Sequence, residues 1–358
     1  MTMASFTANI PKIDLESWLN GSPEQRTRVE KEFCQICHEI GFFYLINHGV
    51  ENEFLDKHMK VIQVFFDLPL EYKQTIDKSL SPQFRGWEAL GSELTNNQVD
   101  YREQIDFGPE RPPLVNPEPH YMRLVGFNQW PDERVIPGFK DILTEYVEKM
   151  TGVARKLLAL MSKSLGLSES IIEDHFGRDQ EAYIKLIRYP LTQNHGFGVG
   201  PHKDSGFLTL LLQDDCGGLE VETQSGKWIP VNPLRGSLVI NIGEMLQEMT
   251  HHYYVATHHR VINKGTGNRY SSAYFYSPDL NTRMEPLAID PALIKKAHNS
   301  DFHHSAGIMA SREELQQGTG TIESRKTYAR FGDKYWERWT RSYPEIVRKH
   351  HPEMIEPS

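Results

Sequence analysis

Cysteine is scarce: Cys34, Cys37 and Cys216 are the three in 358 residues. An odd count this small excludes a disulfide framework and points to a reducing, cytosolic setting. Long apolar runs are missing too. Nothing approaches the ~20 consecutive apolar residues of a spanning helix, and Phe207 to Leu212, the longest candidate, suits a buried strand. No basic stretch followed by an apolar run opens the chain, so no secretory signal is visible and Asn20-Gly-Ser22 carries no meaning as a glycosylation acceptor. Basic excess is also lacking. Acidic residues number 48 against 39 basic ones, the formal net charge is -9, and no Lys/Arg run stands out. Such a chain repels nucleic acid and anionic membranes. The expectation is a monomer acting on a small molecule. Internal repeats and low-complexity tracts are absent.

What is present supports a sizeable core: 39% of the residues are apolar and 11% aromatic, enough for one large domain or two small ones. An α/β region is expected over 1–125. It opens with strand-like Ile10-Pro-Lys-Ile-Asp-Leu15 and continues with an amphipathic stretch, Pro23 to Ile40. Val29, Phe33, Ile36, Cys37 and Ile40 fall there at the helical period. Strand-like Gly41 to Gly49 and a helix from Glu51 to Leu68, stopped by Pro69, follow. Ser79 to Asn128 reads as loops. Over 126–180 the dominant signal is a long helix, Pro137 to Leu165, with a wide apolar stripe on which a sheet can pack.

After Ala182 the period drops to about two. Seven short strands are expected: Tyr183 to Tyr189, Gly206 to Gln213, Gly218 to Thr223, Lys227 to Val231, Ser237 to Ile242, His259 to Asn263 and Tyr270 to Tyr276. The fold class is therefore mainly β with α, a jelly-roll core over 181–285 flanked by helices. A helical extension is expected over 286–358, with the stripe Tyr328, Phe331, Tyr335, Trp339 and Tyr343 as core.

Three motifs compete as chemistry. Cys34-Gln-Ile-Cys-His38 matches a haem-attachment and a redox pattern, but it lies within an amphipathic helix with Cys37 on the inward face, so it reads as packing. Gly196-Phe-Gly-Val-Gly200 has the glycines of a phosphate loop, yet Pro201 and a strand follow where a helix is required. The informative segment is Pro201-His-Lys-Asp-Ser-Gly-Phe-Leu-Thr-Leu-Leu-Leu212. Alternate side chains of an extended segment share a face, so His202 and Asp204 can reach one point. An imidazole and a carboxylate there are two-thirds of a 2-His-1-carboxylate site, which leaves three positions open on a non-haem iron(II). The missing imidazole has four candidates: His251, His252, His258 and His259. Neighbours on a strand face opposite ways, so His258 and His259 cannot both serve. Arg269-Tyr-Ser271 would present a guanidinium and a hydroxyl together, suited to gripping a carboxylate.

His202-x-Asp204, a distant His259-Arg-Val261 and Arg269-x-Ser271 together resemble the iron(II)/2-oxoglutarate-dependent dioxygenases of the isopenicillin N synthase-like family. Ile10 to Leu15, Gly41 to Val50, Lys185-Leu-Ile-Arg-Tyr-Pro190, Gly217 to Val221, Trp228 to Val231 and Asn241 to Leu246 follow that family's order over about three-quarters of the chain. The resemblance implies a double-stranded β-helix with iron(II) on His202, Asp204 and His259. It implies 2-oxoglutarate held by Arg269, Ser271 and the Tyr189 hydroxyl, dioxygen as the other cosubstrate, and a role in secondary metabolism. Glu244 stands where the family often has Asp, and Ile187-Arg188 where it often has Asn-Tyr. Substrate contacts are expected from Arg85, Tyr101, Gln104 and Phe107 in the loop-rich section and from Ile187, Leu210 and Phe275 on the barrel. The expected reaction couples oxidative decarboxylation of 2-oxoglutarate to succinate and carbon dioxide with hydroxylation, desaturation or cyclisation of the substrate. The rivals are a family oxidase that uses no 2-oxoglutarate, with Arg269 and Ser271 on the substrate's own carboxylate; a non-catalytic binding module; and a zinc hydrolase, against which the absence of a His-Glu-x-x-His cluster speaks.

Overall fold

A computed structural model describes residues 9–95, 98–191, 196–263, 265, 267–298 and 328–355. Much of the expected C-terminal extension, residues 299–327, and the segment before residue 9 lie outside the described residues. The amphipathic stretch after Asn20 forms the helix Pro23–Glu39. Ser22 caps it: its Oγ accepts from the Gln25 amide, the Gln25 Oε1 accepts from the Ser22 amide, and Pro23 supplies a preset first turn. Cys37 is buried on this helix and Cys34 Sγ lies 3.6 Å from the Tyr253 hydroxyl, so the Cys-x-x-Cys-His motif is packing. Among the described residues no helix is long and apolar enough to cross a membrane.

Two facing sheets make the jelly roll. The strands in chain order are β1 Lys12–Asp14, β2 Phe42–Ile46, β3 Gly86–Glu88, β4 Leu94–Thr95, β5 Gln98–Val99, β6 Glu103–Phe107, β7 Glu181–Tyr189, β8 Val199–His202, β9 Leu208–Gln213, β10 Leu219–Glu222, β11 Trp228–Pro230, β12 Leu238–Ile242, β13 His259–Val261 and β14 Arg269–Ser277. The larger sheet runs β1-β2-β12-β9-β14-β7-β6-β3 and the smaller β11-β10-β13-β8, with β4-β5 a separate ribbon. Each of the seven expected strands is present, with neither end displaced by more than two residues. An eighth, β8, begins in the glycine-rich stretch read as a connector. Those glycines serve close approach: a Cβ on Gly198 would sit 2.5 Å from Cδ1 of Tyr189.

The loop-rich reading of 79–128 missed β3 and β6, which extend the large sheet. Buried polar and charged residues stand on both faces of β6, and that broke the apolar period. Glu103, Gln104 and Asp106 are all buried, with Lys73 3.0 Å from Glu103, and Lys78 2.6 Å from both Glu88 and Asp106. Buried charges persist only when paired, and each of these has its lysine. Both segments flanking 126–180 therefore build one continuous sheet.

The long helix, Phe139–Ser164, covers the outer face of that sheet with Phe139, Leu143, Tyr146, Met150, Val153, Leu157, Leu158 and Met161. Burying each side chain of this kind contributes about 1.5–3 kcal/mol. The described tail is helical as expected, in two pieces: Phe331–Ser342 and Pro344–His350 are separate, because Pro344 cannot continue the first.

Behind the large sheet His58 is fully buried. Its ring stacks on Tyr146 at 3.6 Å between centroids, and Nε2 lies 3.0 Å from Ser272 Oγ. Burial pushes its pKa down to about 3, whereas the unfolded chain titrates this group near ~6.5. The unfolded state thus binds the proton first as acid is added. Stability present above about pH 6.5 is lost below it at about 1.4 kcal/mol per pH unit. Urea unfolding of wild type and His58→Phe should show the wild-type advantage shrinking at that slope between pH 6.5 and 5. A pH-independent difference contradicts it.

Candidate active site

Strand alternation decides what faces the interior. On β7 the odd positions Glu181, Tyr183, Lys185, Ile187 and Tyr189 line one cavity, and on β14 Arg269, Ser271, Ala273, Phe275 and Ser277 do so. The two strands pair with Arg269 opposite Tyr189, Ser271 opposite Ile187, Ala273 opposite Lys185 and Phe275 opposite Tyr183. The cavity thus has an arginine-hydroxyl end and, some residues along the same strands, a charged and aromatic end.

Across from this floor, the small sheet brings His202 of β8 directly opposite His259 of β13. His202, Asp204 and His259 offer ligand atoms that all lie within 4.8 Å of one another. The free atom on each is fixed by what its other atom does. His202 Nδ1 donates to the Gly200 carbonyl at 2.8 Å and His259 Nδ1 to the Thr257 carbonyl at 3.1 Å. Carbonyls only accept, so the ring protons sit on Nδ1 and both Nε2 lone pairs are left. Each Nε2 lies 3.7 Å from Asp204 Oδ1. Asp204 Oδ2 accepts from Thr209 Oγ1 and, at 2.7 Å, from Asn241 Nδ2, which leaves Oδ1 pointing at the imidazoles. Two neutral nitrogens and one carboxylate oxygen converging this way, each oriented by a hydrogen bond from behind, fit a divalent metal with open positions.

The charge states agree with that donor set. Burial, reinforced by the neighbouring His259, pushes His202 down to about 3, so it is neutral at pH 7. Burial pushes the Asp204 carboxyl up, but His259, His202, Thr209 and Asn241 outweigh it and hold it below its ordinary range. His258, on the opposite parity to His259, lies 3.2 Å from Glu222 on the outer surface of the small sheet. His251 Nε2 is 3.1 Å from the Leu287 carbonyl and His252 lies beside Gln247, so neither shares the cluster.

Arg269 is completely buried. Its Nη1 donates to Ser271 Oγ at 3.3 Å and its Nη2 to Gln213 Oε1 at 3.2 Å, and its face lies 4.8 Å from the Tyr189 ring centroid. Nε has no partner, and among the described residues no carboxylate pairs with this guanidinium. A buried cation with no carboxylate in pairing distance, opening on a cavity, fits a ligand carboxylate. Tyr189 presents its ring to Arg269, a role beyond the hydroxyl expected for it.

Of the expected substrate contacts, Ile187 and Phe275 line the cavity. Leu210 does not: it is registered opposite Tyr274 on the helix-covered face, and Leu211 is the lining residue. Phe107 pairs with Ile184 on that same outer face and stacks on Trp130 at 4.7 Å. Arg85 is buried in a structural role, donating to the carbonyls of Gly126 at 2.7 Å and Leu124 at 3.1 Å. Tyr101 is partly exposed, with its amide bonded to the Phe197 carbonyl. Gln104 sits one layer behind the lining, donating to Glu88 and Glu93. Sequence reasoning missed Glu93, Arg102, Lys185, Tyr335, Arg338 and Arg341. Lys185 was within reach, since it shares parity with Ile187 and Tyr189. Tyr335 packs against the core as expected, beside Phe331, Trp339 and Tyr183, and also lines the cavity.

Comparison with known proteins agrees with this geometry. Residues 10–133 match the family described as non-haem dioxygenase in morphine synthesis N-terminal, and residues 181–278 the 2OG-Fe(II) oxygenase superfamily. A 2-oxoglutarate-dependent dioxygenase of Gibberella zeae is 30% identical, covering 99% of this chain and 94% of its own. A 1-aminocyclopropane-1-carboxylate oxidase of Dictyostelium mucoroides is 32% identical over 97% of this chain and 98% of its own. The crystal structure of full-length Neurospora crassa T7H in complex with alpha-KG and thymine shares the fold. Its TM-score is 0.73 at 22% identity, covering 95% of this chain and 98% of that one.

Proposed function

The chain belongs to the 2OG-Fe(II) oxygenase superfamily, and from that premise we propose how its own residues divide the work. The protein is a 2-oxoglutarate-dependent dioxygenase using iron(II), 2-oxoglutarate and dioxygen. His202, Asp204 and His259 hold the iron. Arg269 and Ser271 hold the far carboxylate of 2-oxoglutarate, with the Tyr189 ring backing the guanidinium. The observation that carries this is the convergence of three free donor atoms whose other atoms are all engaged.

Bound iron supplies the oxidising chemistry, which converts 2-oxoglutarate to succinate and carbon dioxide as a substrate C–H bond is oxidised. The chain's task is placement. The Gly200 and Thr257 carbonyls fix both imidazole rings, Thr209 and Asn241 fix the carboxylate, and the apolar walls Ile187, Leu211 and Phe275 keep water from the reacting region. The substrate is a polar small molecule admitted at the charged end of the cavity, and the protein acts as a cytosolic monomer in secondary metabolism.

A second reading has support in the relative named as an oxidase: Arg269 and Ser271 would hold the substrate's carboxylate and 2-oxoglutarate would be unused. Anaerobic titration with iron(II) and 2-oxoglutarate, followed by an aerobic metabolite screen scored by succinate, separates the two. The expected result is saturable 2-oxoglutarate binding and one succinate per substrate oxidised. Substrate oxidation without succinate selects the oxidase.

A further inference from the structure

The helix Phe331–Ser342 closes the charged end of the cavity with Tyr335, Arg338 and Arg341, three residues apart on one face. The charges lining that end can be accounted for in turn. Glu93 Oε2 accepts from Arg102 at 2.7 Å, Gln104 at 2.8 Å and Lys185 at 3.3 Å. Arg102 also reaches Asp100 at 3.1 Å, and Lys185 reaches Asp106 at 3.6 Å. Glu181 is paired with Arg111. Lys203 and Arg341 have partners of their own.

Arg338 differs. Its guanidinium carbon lies over the Trp339 ring, 4.7 Å from the ring centroid. The five N–H donors lie around the edge of the guanidinium plane. Among the described residues no carboxylate lies within pairing distance and no hydrogen bond is made to them; Glu93, already held by Arg102 and Lys185, acts on this cation only through its charge. The ring contact holds the cation in place while its donor edge stays unused, an arrangement suited to a forked grip on an incoming oxyanion.

We propose that Arg338 is the specificity-determining residue of the cavity, and that it selects a small metabolite bearing a carboxylate by pairing with that group. This rests on the reading above, in which Arg269 at the far end belongs to 2-oxoglutarate and is not available to the substrate. The two guanidiniums then anchor two different carboxylates from opposite ends of one floor, with the metal cluster facing it.

The test uses a panel of small carboxylic acids, among them α-amino acids and cyclic and aromatic acids, each with its methyl ester or primary amide. Thermal shift of the full chain is read anaerobically with iron(II) and 2-oxoglutarate present. At least one acid should raise the melting temperature while its ester and amide do not. Arg338→Gln should weaken that acid by about 10- to 100-fold, the scale of a hydrogen bond to a charged group. Arg338→Lys should fall between the two, and the 2-oxoglutarate titration of both variants should match wild type, which also reports that they fold. The proposal is overturned if Arg338→Gln responds to the acid as wild type does, if esters and amides act as well as acids, or if no acid shifts wild type. Failure of the dioxygenase reading shows separately, as absence of 2-oxoglutarate binding to wild type.

Discussion

Asp204→Ala is expected to yield a folded protein that no longer retains iron(II). The aspartate is the only anion in the donor set, and its Oδ1 lies 3.7 Å from both imidazole nitrogens. Without it, two neutral nitrogens on adjacent strands remain, and a hard divalent cation loses both its charge partner and the third corner of its face. Groups that only orient a ligand set the scale: removing one costs about 10- to 100-fold in metal affinity. Thr209→Val, which removes the hydroxyl donating to Oδ2, should fall in that range, and Asp204→Ala should exceed it and bring turnover to background. Anaerobic iron(II) titration against a competing chelator measures both, with circular dichroism confirming the fold. Iron retained by Asp204→Ala at wild-type stoichiometry would refute the ligand assignment.

The difference between what was legible in the sequence and what was not follows how locally each feature is encoded. His202 and Asp204 sit two residues apart, so the geometry of an extended chain alone brings them together. His259 required pairing of β13 with β8, and parity excluded only one of the two adjacent histidines. Parity also explains the miss at Leu210: the strand was read correctly, but the face was not, and a one-residue error moves a side chain from cavity to helix. β6 was hidden because Glu103 and Asp106 look solvated until Lys73 and Lys78, about thirty residues away, are placed beside them. Arg338 could not be assigned at all. Its helix shows an aromatic stripe that packs, and only the tertiary position of that helix turns the neighbouring face toward the cavity.

Arg269→Lys is expected to weaken 2-oxoglutarate by about 2–5 kcal/mol, although the charge is kept. The fully buried guanidinium does three things at once. It donates to Ser271 and Gln213 from its two terminal nitrogens, lies over the Tyr189 ring, and leaves donor capacity for a ligand. An ammonium lacks the planar fork and carries a tighter hydration shell that burial must strip. Its shorter reach also leaves the partly buried Gln213 Oε1 without its donor. The loss should therefore appear in the 2-oxoglutarate titration, with iron(II) affinity unchanged, because none of the metal donors touches Arg269. An unchanged 2-oxoglutarate titration would take the cosubstrate away from this end of the cavity. If the oxidised metabolite weakens in place of 2-oxoglutarate, Arg269 is the substrate's anchor and the oxidase reading stands.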